Sequence, residues 1–466
     1  MSNLFLFDEE STRAALIPHL PDWSFSRTPI EGDWKIVLRW GNTAGSEQYP
    51  LALNPVSAIN ATHIAGLFQR TISISGISHT APNNNANAAP WLHDIPGLRN
   101  RYQIGVFDLS VIFVQDNWVS RQEGGSIYSG ELKMLKELAM RAVYALGLDF
   151  GVVHIGLQQK TRQPVIIGID PAPRLSNSTA LRFAGALRRY SGYMGQLLNS
   201  PTHRPPVAIG ADPEFILARG DTLNRIYASD FLPLTGPVGC EMQPVHANGR
   251  SHRPLAELRP EYALTPVRLF NNLKSTIRRA EQMIPKGISW LAGSVPDGTY
   301  PIGGHIHFSR VPLSTRLLRA LDNYLTIPLL LMEDPVRAVI RRSRYGFLGD
   351  ARVKPHGGFE YRTPFSWLSN PVLARGTLCL AYLVAKEHVR LQSNVFTDIN
   401  MLESFYAADK EPFRRLFPTL WSEIEQTATY EAYSQSLQGL YDLIDSGWVV
   451  DEKADFRREW QSREGA

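Results

Sequence analysis

Between Glu131 and Leu146 the apolar residues Leu132, Leu135, Leu138, Ala142, Val143 and Leu146 recur at three- and four-residue steps. That period places them on one helical face, and Gly147 is suited to end the helix. Just upstream, Tyr102 to Gln115 is rich in β-branched and aromatic residues with a polar break at Asp108 to Ser110, which predicts a hairpin. Two short strands are expected after the helix, Phe150 to Gly156 and Pro164 to Asp170. The texture changes at Leu197 to Pro206 (LLNSPTHRPP), where proline and polar residues gather, and the domain boundary is placed there. Asn83 to Ala89 (NNNANAA) reads as a flexible loop. The last hundred or so residues are mostly helical in pattern and close in a charged tail. No internal repeat of about 20 to 50 residues is present.

Composition narrows the class. A chain of 466 residues suggests two or three domains at roughly 150 residues each, and the boundary divides it into residues 1–200 and 207–466. Its 44% hydrophobic content excludes a disordered chain, and the 35 Gly and 32 Pro follow no collagen-like period. The two cysteines, Cys240 and Cys379, form no CxxC pair, so a cytoplasmic location is expected. Acids in the opening MSNLFLFDEESTR leave no export signal evident. The apolar run from Leu325 to Met332 is interrupted by Pro328 and is far short of the roughly 20 residues a bilayer requires, so no membrane partner is expected. A net charge of +4 from 48 basic and 44 acidic residues gives no ground for nucleic-acid binding.

The candidate chemistry lies downstream of the boundary. In Val207 to Leu217 (VAIGADPEFIL), Asp212 and Glu214 are two apart, which on a strand places both carboxylates on one face. Glu257 and Arg259 in PLAELRP share a face, and Glu360 and Arg362 in FEYRTP repeat that arrangement. Between them, GGHIHFS puts His305 and His307 on one face, with glycines that allow close approach to the backbone. Carboxylates with imidazole suit Mg²⁺ or Mn²⁺, while unpaired cysteines argue against structural zinc. Arg337, Arg341, Arg342, Arg344 and Arg352 form a basic stretch interleaved with glycines. Guanidinium groups bind phosphoryl oxygens in bidentate fashion, and a solvated surface stripe is the competing account for Arg337, Arg341 and Arg344.

Two family resemblances follow. Leu148 to Ile155 and Ile167 to Pro173, with the element order around them, resemble the ATP-grasp fold over about Ile36 to Leu175. That family places an acidic metal ligand where His154 stands and a Glu-x-Asn pair where Gly168 and Asp170 stand, which implies an α/β domain degenerate in catalysis. From about Val207 to Leu368 the four ordered motifs resemble the carboxylate–amine ligases of the glutamate–cysteine ligase and glutamine synthetase superfamily, most closely the phage-type type 2 branch. The fold class implied is α+β, the ATP-grasp-like domain being followed by a glutamine-synthetase-like antiparallel sheet with helices. By that resemblance Asp212, Glu214, Glu257, His305 and Glu360 are metal ligands, and His307 lies close to the phosphates. Arg362 would contact acyl substrate or phosphate, and Arg352 would stabilise phosphate. Arg341 and Arg344 join the nucleotide side, and Glu241 is an acid facing metal or amine.

Such a site implies ATP and Mg²⁺, with Mn²⁺ as an alternative, because a carboxylate becomes electrophilic only when converted to an acyl phosphate. The partners would be an amino-acid or peptide carboxylate and a primary amine, with oligomeric state left open. A guanidino-kinase-like phosphotransferase and a non-catalytic scaffold are the rival readings. Trp23, Trp34, Trp40 and Trp91 are read as core or as a substrate platform, and the segment after Phe396 as a lid, a dimer contact or a brace.

Overall fold

Strand and helix signals assemble into two units in the computed structural model, which describes residues 2–45, 49, 51–80, 95–116, 129–199, 206–220, 224–241, 244–247, 250–355 and 357–462. One unit is Met1–Arg204 with Phe396–Leu402, and the other is Pro205–Val395 with Glu403–Ala466. The loop read at Asn83 to Ala89, Trp91 and residues 200–205 of the boundary segment lie outside the described residues.

The first unit holds two four-stranded sheets. In one, β1 (Ser2–Phe7), β2 (Trp23–Ser26), β3 (Trp34–Trp40) and β4 (Ala52–Leu53) run parallel in the order β2-β1-β3-β4. In the other, β5 (Leu98–Phe107), β6 (Ser110–Asp116), β7 (Phe150–Gln158) and β8 (Pro164–Asp170) are antiparallel in the order β6-β5-β7-β8. The hairpin of the 102–115 segment is present, and its turn forces positive φ at Asp108 (45°) and Leu109 (58°). The helical face is present as well. The helix Ser129–Ala145 buries Leu135, Ala139, Ala142 and Val143, and Gly147 follows it at φ 77°.

Tryptophan serves here as core. Trp40 is buried and stacks on Phe5 at 5.9 Å and on Phe150 at 5.0 Å. Trp23 is also buried, and Trp34 packs partly buried against Leu4, Leu6 and Val37. His154 lies directly opposite Gly168, and burial pushes its imidazole down to about 4. Asp170 turns its carboxylate onto the backbone N–H of Ala172 at 2.9 Å.

The second unit is built around β9 (Ala208–Arg219), which is buried along nearly its whole length. The other strands are β10 (Asn224–Ile226), β11 (Val238–Cys240), β12 (Val245–Ala247), β13 (Arg250–His252), β14 (Leu255–Leu258), β15 (Ser289–Leu291), β16 (Gly304–Ser309), β17 (Ala351–Val353) and β18 (Phe359–Tyr361). The main sheet has the order β11-β14-β9-β16-β18-β17, with β10 and β15 also paired to β9. Every pairing is antiparallel. With helices flanking both kinds of sheet, the chain is of mixed α+β architecture. Helix Pro371–Glu387 is buried almost all round, as a core helix must be, and Asn370 caps it by accepting from the N–H of Val372 at 2.8 Å. Among the described residues no helix is long and apolar enough to cross a membrane.

The C-terminal segment from Glu403 onward braces this unit. Phe456 N–H donates to the carbonyl of Trp290 in β15 at 3.1 Å, and Trp460 Nε1 donates to the carbonyl of Leu368 at 2.7 Å. Arg457 lies over the Trp290 ring at 4.7 Å. Glu452 accepts from the backbone N–H groups of Ser294 (2.7 Å) and Val295 (2.9 Å), which fixes the start of the loop leading into β16.

Candidate active site

Strand register decides which side chains meet. Side chains directly opposite in an antiparallel pair lie about 5 Å apart, and those two residues along a strand return to the same face. Glu257 of β14 is opposite Glu214 of β9, and Asp212 of β9 is opposite His305 of β16. His307 is opposite both Gly210 of β9 and Glu360 of β18, and Glu360 is opposite Arg352 of β17. Five strands therefore lay acids, imidazoles and a guanidinium in adjacent rows on one face. The other face is held by the core, where the Tyr361 hydroxyl donates to Asp322 at 2.5 Å and shares a 2.6 Å hydrogen bond with Thr326.

The four carboxylates Asp212, Glu214, Glu257 and Glu360 are all buried. His305 Nδ1 lies 3.2 Å from Asp212 Oδ1 and 3.3 Å from Glu360 Oε1, and His307 Nε2 lies 2.9 Å from Asp212 Oδ2. Tyr345 hydrogen-bonds to His305 Nε2, which leaves Nδ1 facing the acids. On the flanks, Arg259 Nε donates to Glu257 Oε2 at 2.7 Å, and Arg352 donates to Glu360 Oε2 at 2.7 and 3.0 Å. Arg362 Nε is 3.4 Å from Glu360 Oε1 and its guanidinium lies over the Tyr345 ring.

The charges respond to this crowding. Burial opposes ionisation of Asp212, but the two imidazoles outweigh it and hold that carboxyl well below the usual carboxylate range. Burial disfavours the His305 imidazolium, yet the surrounding acids, Glu214 foremost, raise it. Glu360 also loses solvation but is lowered by His305, Lys354 and Arg352. Glu257 is pushed up to about 8 by burial, with the charges of Asp212 and Glu214 adding to it against Arg259. Burial raises Glu214 too, and the charge of half-buried Glu241 adds to that rise.

These residues fit divalent cations. One ligand atom each from Asp212, His307 and Glu360 lie within 4.8 Å of one another, and so do atoms from Asp212, Glu257 and His305. Asp212 Oδ1, Glu360 Oε1 and His307 Nε2 are buried without an aligned hydrogen bond, although each is close to an oppositely charged group. Polar atoms that converge without mutual hydrogen-bond geometry are suited to a shared cation, and an oxygen-rich set with imidazole suits a hard one. Glu214 lies beside both groups but outside them, one of its oxygens accepting from the Gly303 N–H at 2.7 Å.

Most of the singled-out residues are thus brought together. The expectation for Arg341 is overturned. Its guanidinium is fully buried and donates to four backbone carbonyls: Ile302 and Thr363 at 2.7 Å, Pro364 at 2.7 Å and Arg362 at 3.2 Å. With its donors turned onto the chain it ties the lead into β16 to the exit from β18 and cannot reach a phosphate. Gly346, at φ 71°, accommodates it, because a Cβ there would overlap the guanidinium. Arg344 is exposed and donates to the carbonyl of Thr299 at 3.1 Å, so among the described residues no contact joins it to the acids. Arg342 is buried against Glu333, and Arg337 donates to the carbonyl of Pro296 at 2.7 Å. Of Arg337, Arg341 and Arg344, only Arg344 is exposed, so the surface-stripe account fails for Arg341. His252 stacks on Tyr227 at 4.2 Å, and His246 is exposed.

Two residues escaped sequence reasoning. Lys354 pairs with Glu360 Oε2, and its signal was the two-residue spacing from Arg352. Tyr345 had no signal in the sequence, because only the tertiary fold carries it to His305.

A sheet face lined with buried acids and imidazoles and edged by guanidinium groups is suited to holding cations and anionic groups. Residues 209–462, more than half of the chain, match the phage phiEco32-like COOH.NH2 ligase-type 2 family, and the chain belongs to that family. It is accordingly an amide-forming ligase. No curated protein matches the sequence significantly. Solved structures to which the chain is similar include the macrocyclase MdnB from Microcystis aeruginosa MRC, at 12% identity and a TM-score of 0.28, covering 40% of this chain and 99% of that one. Another is a bifunctional glutathione synthetase from Pasteurella multocida, at 10% identity and a TM-score of 0.35, covering 58% of this chain and 53% of that one. A third is GmaS without ligand, at 15% identity and a TM-score of 0.26, covering 58% of this chain and 72% of that one. The chain thus spans about half the length of the glutathione synthetase. Likenesses this distant carry no argument about activity.

Proposed function

We propose that the protein is an ATP-dependent, ADP-forming ligase that joins the carboxylate of an amino acid or peptide to a primary amine through an acyl phosphate. The observation that supports it is the convergence of four buried carboxylates and two imidazoles on adjacent strands, with guanidinium groups at their edge. Asp212, Glu257 and His305 would hold one divalent cation, and Asp212, His307 and Glu360 a second. Such cations, when bound, neutralise the triphosphate and withdraw charge from its γ-phosphorus.

The protein's own groups do the rest. Arg352 and Arg362, at the edge of Glu360, take up charge that develops on the transferring phosphoryl group as a carboxylate oxygen displaces ADP. The amine nitrogen then attacks the acyl carbon, phosphate leaves with its electron pair, and the nitrogen gives up a proton. Glu241, whose charge acts on Glu214, is the acid assigned in this reading to accept it. The catalytic domain in this reading is residues 207–466, with Glu214 adding negative charge beside the cations. Residues 1–200 form an ATP-grasp-like domain without catalysis of its own, because His154 is buried in the sheet and Gly168 opposite it has no ligand to offer.

The test is an incubation of the protein with ATP, Mg²⁺ and pooled amino acids or peptides, read by mass spectrometry. ADP with a dehydrated adduct is expected. AMP and pyrophosphate would reject the acyl phosphate, and a phosphorylated product without condensation would make the protein a phosphotransferase.

A further inference from the structure

The β17–β18 hairpin sets more positive charge against Glu360 than that one carboxylate can neutralise. Glu360 has no exposed surface, yet three cations are held against it: Arg352 at 2.7 Å and Lys354 on Oε2, and Arg362 at 3.4 Å from Oε1. Arg362 is shared with Asp350, 3.4 Å away, so Glu360 is left with two further cations, Arg352 and Lys354, and its one carboxylate balances one of them. Arg352 is opposite Glu360 in the register, and Lys354, two residues on, returns to the same face. The turn that follows is closed by Lys354 N–H to the Gly358 carbonyl (2.8 Å) and Gly357 N–H to the Lys354 carbonyl (3.1 Å). Gly357 adopts φ 87°, and a Cβ there would meet nothing within 4 Å. Arg352 and Lys354 occupy the solvent edge of the hairpin with side chains 58% and 21% exposed.

A divalent cation on Glu360 Oε1 would face this surplus across a single carboxylate group. Like charges at that range repel strongly in a partly buried site. A phosphate oxygen reverses the sign, since it attracts both the divalent ion and the hairpin. We infer that Lys354, together with Arg352, is a triphosphate-binding residue that suppresses binding of the bare divalent ion and favours its complex with nucleotide. The site then loads metal and nucleotide together. The inference rests on the ATP-dependent reading above and assigns to that site a residue and an order of loading.

Lys354→Met separates this role from a structural one, because it moves two constants in opposite directions. Mn²⁺ alone, titrated by the loss of the free-ion electron paramagnetic resonance signal, is expected to bind about tenfold more tightly to the variant. A nonhydrolysable ATP analogue with saturating Mg²⁺, measured by calorimetry, is expected to bind about tenfold more weakly, the effect of losing one charge-assisted hydrogen bond. Lys354→Arg, which keeps the charge, should restore both. An unchanged melting temperature shows that the variant is folded. If both constants of Lys354→Met move the same way, or neither moves, the inference is overturned while amide formation with ADP release in the wild type leaves the ligase reading intact. A wild-type protein that binds no nucleotide overturns both.

Discussion

Arg341→Met is expected to cost the second unit its stability before it costs the enzyme its substrate. The wild-type guanidinium, which burial pushes down to about 10 and which stays charged at neutral pH, supplies donors to the carbonyls of Ile302, Arg362, Thr363 and Pro364. Pro364 keeps a second donor, the Gly304 N–H at 3.0 Å, so its carbonyl survives the change best. Each buried carbonyl left without a donor costs about 1–3 kcal/mol. Relaxation and water entry reduce the sum, and a net loss of about 3–5 kcal/mol is expected, typical of breaking one side of a buried charged network. Urea unfolding followed by circular dichroism should show the transition of the second unit shifted by about 1 M or more, with its slope unchanged. Arg341→Lys should recover only part of the loss, because one ammonium cannot reach carbonyls on two separate segments as a planar fork does. A variant that unfolds like the wild type but no longer binds nucleotide would refute this reasoning and return Arg341 to the phosphate side.

In a thermal melt, Mn²⁺ at about 100 times its dissociation constant should stabilise the wild-type protein by about 2.7 kcal/mol, and Asp212→Asn, which removes a ligand common to both groups of acids, should abolish that shift. The two units should also respond to pH in opposite senses. His154 is held at about 4 by burial against 6.5 when exposed, so the unfolded chain binds the extra proton between those values. The first unit is then fully stable above pH 6.5 and loses up to about 3 kcal/mol as pH falls toward 4, and His154→Gln should flatten that slope. Glu452 is raised to about 7 by burial, against 4.5 when exposed, so here the folded state binds the extra proton. Its contribution is complete below pH 4.5 and is lost, by up to about 3 kcal/mol, as pH rises through 7. Glu452→Gln should remove that component from stability curves measured across the same range.

Short-range periodicity was enough to pick out Asp212 with Glu214, His305 with His307, and the helix ending at Gly147, because a side chain's face within one strand or helix depends only on its neighbours in sequence. The same local rule explains why FEYRTP and GGHIHFS could be read as strands offering ligands before their partners were known. Which strands lie side by side is decided by pairing across tens of residues and by the core beneath. That long-range choice set Glu257 opposite Glu214 and Glu360 opposite His307 and brought Tyr345 to His305, while a local hairpin carried Lys354 to Glu360. It also separated arginines that looked equivalent. Arg341 and Arg344 lie three residues apart on the chain, yet one is buried among carbonyls and the other meets solvent, because helical spacing defines a face without saying what packs on it.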